Sequence, residues 1–152
     1  MLQKNSRKKL TAVGIRFAIV ASTYNARYVD AMLRAAQAEL RRAGGEVLVV
    51  RVPGAYEIPV VAAKLSRSEE HAAVICLGVI LRGATTHAQH IGEAVSFALA
   101  QLQILHEIPV IHEVLLLENE QQAKERCLNR THNLGAEAAQ TAIEMAWVMR
   151  DL

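Results

Sequence analysis

Cysteine is scarce in this chain of 152 residues: Cys76 and Cys127 stand alone. They are too far apart for a CxxC or paired-ligand spacing, which removes a zinc cluster and a redox dithiol from consideration and leaves two free thiols of a reducing cytosol. Aromatic residues make up only 4%. None is interleaved with the basic run Lys4, Arg7, Lys8 and Lys9, so that run lacks the stacking partners of a nucleic-acid surface. It reads instead as a solvated, flexible basic segment over residues 1–14. No apolar run of useful length follows those charges, which argues against a signal peptide, and no stretch approaches a membrane span. Charge of one sign is lacking as well, with a net charge of only +2. Internal repeats and low-complexity stretches are absent. With 52% hydrophobic residues, what remains is one soluble cytoplasmic domain, expected over residues 15–152.

The hydrophobic pattern alternates between two kinds of segment. Residues 16–21, 46–52, 73–81 and 109–117 are Val-, Ile- and Leu-rich with almost no polar alternation, as for strands buried on both faces of a parallel sheet. Between them lie helical stripes. Tyr28, Val29, Met32, Leu33, Ala36 and Leu40 form one, closed by Gly44-Gly45. Ile58, Val61, Ala62 and Leu65 form a second, and Ile91, Ala94, Val95, Ala98, Leu99, Leu102 and Leu105 a third. Asn119 followed by Gln122 reads as a capping box, and Asn133 as the cap of a last helix. Strand–helix alternation with short connections predicts an α/β fold: a flavodoxin-like three-layer sandwich whose four-stranded parallel sheet is flanked by helices.

In such sheets ligands bind beyond the carboxyl ends of the strands. That rule selects Ser22-Thr23-Tyr24-Asn25, then Pro53-Gly54-Ala55-Tyr56-Glu57-Ile58-Pro59, then Arg82-Gly83-Ala84-Thr85-Thr86-His87. In the third loop, Gly and hydroxyl residues before a long helix leave backbone N–H groups to hold an anion, although Thr85 or Thr86 would look the same as a plain helix cap. His87 is either one surface histidine among six or, beside an anion, a proton shuttle. Tyr56 and Glu57 are either packing residues at a helix start or an aromatic wall with a carboxylate for sugar-like hydroxyls. Tyr24 is either a rim aromatic or a stacking surface. Arg126 is either a solvated residue of the fourth helix or a guanidinium clamp on phosphate.

Taken together, several spaced blocks resemble the lumazine synthases over nearly the whole chain, from about Arg16 to Met149. They are Val52 to Pro59, Leu77 to His87, Glu118-Asn119 leading to Glu125-Arg126, and Gly135 to Ala139 continuing through Ala142 to Ala146. The resemblance implies a role for each matching residue. Tyr24 would stack on a pyrimidine ring. Ala55, Tyr56 and Glu57 would line a ribityl chain. The backbone of Val79, Ile80 and Leu81 would read the ring's polar edge. Gly83, Ala84, Thr85 and Thr86 would hold a keto-phosphate, with Arg126 of a neighbouring subunit on the phosphate and His87 moving protons. It further implies a transferase of riboflavin biosynthesis, needing no cofactor or metal. The partners implied are small molecules, ribitylamino-uracil and butanone phosphate, and further copies of the chain. Active sites would lie at subunit interfaces of a homopentamer or a sixty-subunit shell.

Four departures stand out. His112 replaces an aromatic that crosses the subunit boundary to cover the ring, which implies altered affinity. Glu113 replaces a common glycine, Leu116-Leu117 a threonine pair, and Leu134 a lysine near the ligand. Rival expectations are a weakly active paralogue that only binds such ligands, a protein whose chief role is shell formation, and a flavodoxin-like electron carrier holding a flavin.

Overall fold

Four runs rich in Val, Ile and Leu form the centre of the molecule. In the computed structural model, which describes residues 10–152, they become β1 (Arg16–Ser22), β2 (Glu46–Val52), β3 (Ala73–Leu81) and β4 (Val110–Leu117). All pair in parallel in the order β2-β1-β3-β4. The basic residues Lys4, Arg7, Lys8 and Lys9 lie outside the described residues. The last strand begins at Val110 rather than at Pro109, which has no N–H to give a ladder but whose carbonyl accepts from Val74 N–H.

Helices α1 (Ala26–Arg42) and α5 (Leu134–Arg150) cover one face of the sheet, and α2 (Ile58–Arg67) and α3 (His87–His106) the other. The result is the flavodoxin-like three-layer sandwich. Phe17, Ile19, Ile75 and Leu77 point to the first layer with Met32, Leu33 and Ile143. Val20, Val74 and Cys76 point to the second with Ile58, Val95 and Leu99. Alternation of strand residues between two apolar layers is why these strands show no polar alternation in sequence.

Expectation and structure part at the edges. Strands β1 and β3 are buried on both faces, whereas β2 is an edge strand with Glu46, Leu48 and Arg51 exposed. Within the third helical stripe Val95 and Leu99 are buried, but Ala94 and Leu105 are exposed because they turn away from the sheet. Helix α1 ends where the periodicity said it would. Gly44 takes φ +91°, a left-handed conformation suited to glycine. Asn133 caps α5, its side-chain oxygen accepting from Gly135 N–H at 2.8 Å. Asn119 caps the short α4 (Glu120–Ala123), accepting from Gln122 N–H at 2.9 Å. Gln122 answers by accepting from Glu118 N–H, one residue before the cap, rather than from Asn119 itself.

Candidate active site

Strand order reverses between β1 and β3, since the chain passes from β1 outward to β2 and then returns to the other side for β3. The crevice at such a switch point is where the fold leaves room for a ligand. A cleft of about 940 Å³ lies there. It is lined by Tyr24 and Asn25 after β1, by the turn Gly54 to Glu57 after β2, and by Val79, Ile80 and Leu81 at the end of β3. Gly83, Thr85, His87, Ala88, His90, Ile91 and Ala94 close it along the start of α3.

Short-range chemistry holds these loops together. Thr23 N–H donates to the Val52 carbonyl at 2.7 Å and Tyr24 N–H to the Pro53 carbonyl at 3.0 Å. The loops after β1 and β2 are thereby stapled side by side, which places Tyr24 next to the turn bearing Tyr56 and Glu57. Both tyrosines are open to solvent, at 72% and 65% exposure, in a molecule that buries most of its large apolar side chains. Flat rings left uncovered at a cleft mouth are available to stack on a ligand. Asn25 adopts the left-handed region at φ 56°, which Asn tolerates, and its side-chain amide donates to the Val79 carbonyl at 2.7 Å. One residue thus ties the first loop to the end of β3.

The third loop places Gly83, Ala84, Thr85 and Thr86 ahead of the first turn of α3, whose leading N–H groups have no intrahelical acceptor. Thr86 is the N-cap residue but makes no side-chain cap bond. Its hydroxyl lies 3.3 Å from His90 Nε2, while Thr85 Oγ1 accepts from His87 N–H at 3.4 Å. Sequence reasoning selects Asn25 only as part of the loop after β1 and passes over His90. Three residues beyond His87, His90 shares its side of the helix, a spacing by which it could have been found.

Most residues singled out from sequence therefore converge, and the structure separates the rest. Ala84 and Thr86 belong to the loop before α3 without lining the cleft. Arg126 is exposed and sits not in α4 but on the π-helical turn Lys124–Leu128 that follows it. His112 is exposed on β4, paired with Cys76, and thus lies back along the sheet from the cleft. Within one chain neither Arg126 nor His112 lines the cleft.

Two buried thiols sit apart from this chemistry. Burial pushes Cys76 up to about 12 and Cys127 up to about 11, so both stay protonated and unreactive. Among the described residues no group of three or more His, Cys, Asp or Glu side chains gathers as a metal site, and no helix is long and apolar enough to cross a membrane.

A family model described as 6,7-dimethyl-8-ribityllumazine synthase matches residues 14–150. Relatives of that name agree in identity and extent. The protein of Aquifex aeolicus (strain VF5) is 44% identical over 147 residues, 95% of this chain and 96% of its own length. That of Clostridium kluyveri (strain NBRC 12016) is 40% identical over the same shares of both chains. That of Stenotrophomonas maltophilia (strain R551-3) is 37% identical over 93% of this chain and 94% of its own.

Proposed function

The chain belongs to the 6,7-dimethyl-8-ribityllumazine synthase family, and from that premise we propose that it condenses 5-amino-6-(D-ribitylamino)uracil with 3,4-dihydroxy-2-butanone 4-phosphate. The observation that carries this reading is the meeting of three loops at one cleft, with the exposed rings of Tyr24 and Tyr56, the Glu57 carboxylate and the His87 imidazole all on its wall. Tyr24 stacks on the pyrimidine, and the backbone of Val79 to Leu81 meets its polar edge. Ala55, Tyr56 and Glu57 line the ribityl chain, whose hydroxyls donate to the carboxylate. Gly83, Ala84, Thr85 and Thr86 bring backbone N–H and hydroxyl donors to the keto-phosphate.

In the proposed reaction, the uracil's amine adds to the ketone and loses water to form an imine. Phosphate then leaves by elimination, carrying the C–O bonding pair as a proton departs from carbon. The ribitylamino nitrogen closes the second ring and a second water is lost. No electron changes hands beyond these eliminations, so the demand on the protein is proton relay and the holding of two substrates together. His87 is the group at the anion loop able to carry those protons. Arg126 and His112, which a single chain leaves outside the cleft, are supplied by an adjoining copy. That arrangement makes the active unit an oligomer, a pentamer or a shell of pentamers, working in the cytoplasm. The exposed Phe97, Ile104 and Leu105 on α3 are suited to burial in such an assembly.

Turnover tests the proposal. Mixed with both substrates, the purified protein is expected to yield fluorescent lumazine well above the uncatalysed background. His87→Ala is expected to lower kcat more than it weakens uracil binding. Binding without product would leave a ligand-binding paralogue, and equal losses in kcat and binding would make His87 a positioning group.

A further inference from the structure

Side chains meet two outward N–H groups on the free edge of β4. Val74 N–H donates to the Pro109 carbonyl and Arg82 N–H to the Leu117 carbonyl, so odd-numbered residues of this strand serve the pairing with β3. The N–H groups of Val110 and Val114 point outward instead. They meet Gln103 Oε1 at 3.0 Å and His112 Nδ1 at 3.0 Å. On the other side of the imidazole, His112 Nε2 lies 2.7 Å from Ser96 Oγ on α3.

The polarity of this chain follows from its one fixed member. A backbone N–H only donates, so His112 Nδ1 is the accepting nitrogen and the ring proton resides on Nε2, which donates to Ser96 Oγ. That order is the reverse of a serine nucleophile, where the imidazole must accept the hydroxyl proton. Ser96 is therefore not activated for attack. Instead, two bonds in the plane of the ring hold its orientation and its tautomer without using its faces. Partial desolvation of the ring where it packs between its two partners lowers the imidazole below its ordinary 6.5, in the direction of the neutral form. Protonation at Nδ1 would also break the Val114 bond.

We propose, resting on the synthase reading of the cleft, that Ser96 is a positioning residue that holds His112 as a neutral plate over the pyrimidine bound by an adjoining copy. An unanchored imidazole would have to be frozen when ligand binds, and prior anchoring removes that cost from the binding step. The neighbouring Phe97, 66% exposed, puts an apolar flank beside the pair where a second copy would approach.

Steady-state kinetics of the assembled full-length protein test this. Ser96→Ala is expected to raise KM for the ribitylamino-uracil about 3- to 10-fold, the worth of one net hydrogen bond, with little change in kcat. Ser96→Thr keeps the accepting oxygen and is expected to stay near wild type. In a His112→Phe background, which has no ring nitrogen to hold, Ser96→Ala is expected to leave KM where His112→Phe alone puts it. An unmoved KM for Ser96→Ala overturns the proposal, as does an equal loss in both backgrounds, which would mark Ser96 as merely structural. Lumazine formed by wild type in the same assay keeps those failures separate from the synthase reading. Its absence would defeat both together.

Discussion

Glu113 offers the clearest test of how this structure handles charge. Odd-numbered neighbours on β4, Ile111 and Leu117, belong to the core beneath α5, and Glu113 shares that face with a carboxyl on a half-buried stalk. Burial, and secondly the Glu137 charge, push it from an ordinary 4.5 up to about 7. Since the folded value lies above the unfolded one, folding favours the protonated form. Its stabilisation is full below pH 4.5 and is lost as pH rises through about 7. The raw linkage is about 3 kcal/mol, and partial exposure brings it nearer 2 kcal/mol. Glu113→Gln, a neutral near-isostere, should therefore change little at pH 4.5 and raise stability at pH 8. For a chain of this length the gain corresponds to roughly 4–8 °C in Tm. Thermal melts of both proteins at the two pH values, at matched concentration because assembly couples to unfolding, read it directly. An identical Tm offset at both pH values would refute the reasoning, and a variant less stable at pH 8 would show a charge partner for Glu113 instead.

Arg126→Ala is expected to raise KM for the keto-phosphate about tenfold or more, as for loss of a charged hydrogen bond, with a smaller effect on the uracil substrate. An unchanged value, followed with the same fluorescent product, removes Arg126 from the anion site. Gly135→Ala should destabilise the fold by about 3 kcal/mol or more, because a Cβ there would lie 2.0 Å from the Met32 carbonyl oxygen of α1. Denaturant unfolding checks this, and a wild-type midpoint would mean that α1 and α5 part easily.

Much of the fold is legible in the sequence, because it follows from local rules. Four runs of Val, Ile and Leu without polar alternation can be covered only by helices on both faces, and the stripe from Tyr28 to Leu40 can only bury one side of a helix. Asn119 and Asn133 announce helix starts through bonds made within three residues. The blocks around Tyr56-Glu57 and Gly83 to His87 mark a candidate site only by their place after β2 and β3 and by their joint resemblance to a family, because each residue alone could equally open a helix. That β2 is an edge with Leu48 half-exposed could not be read this way, since burial depends on which strands flank it and a run of seven residues carries no record of its neighbours.

Tertiary structure alone decided which of these residues share a cleft. Tyr24, Glu57, Leu81 and His87 come from four places in the chain and meet because strand order reverses between β1 and β3, a property of the whole sheet. It also set His112 and Arg126 apart from that cleft, and gave His112 its two partners, Ser96 on another element and Val114 on its own strand edge. The need for glycine at residue 135 is of the same kind: it arises where the backbones of two helices distant in sequence touch. Local propensity acts through atoms a few residues apart, whereas these arrangements are set by contacts between distant segments, which exist only once the chain has closed on itself.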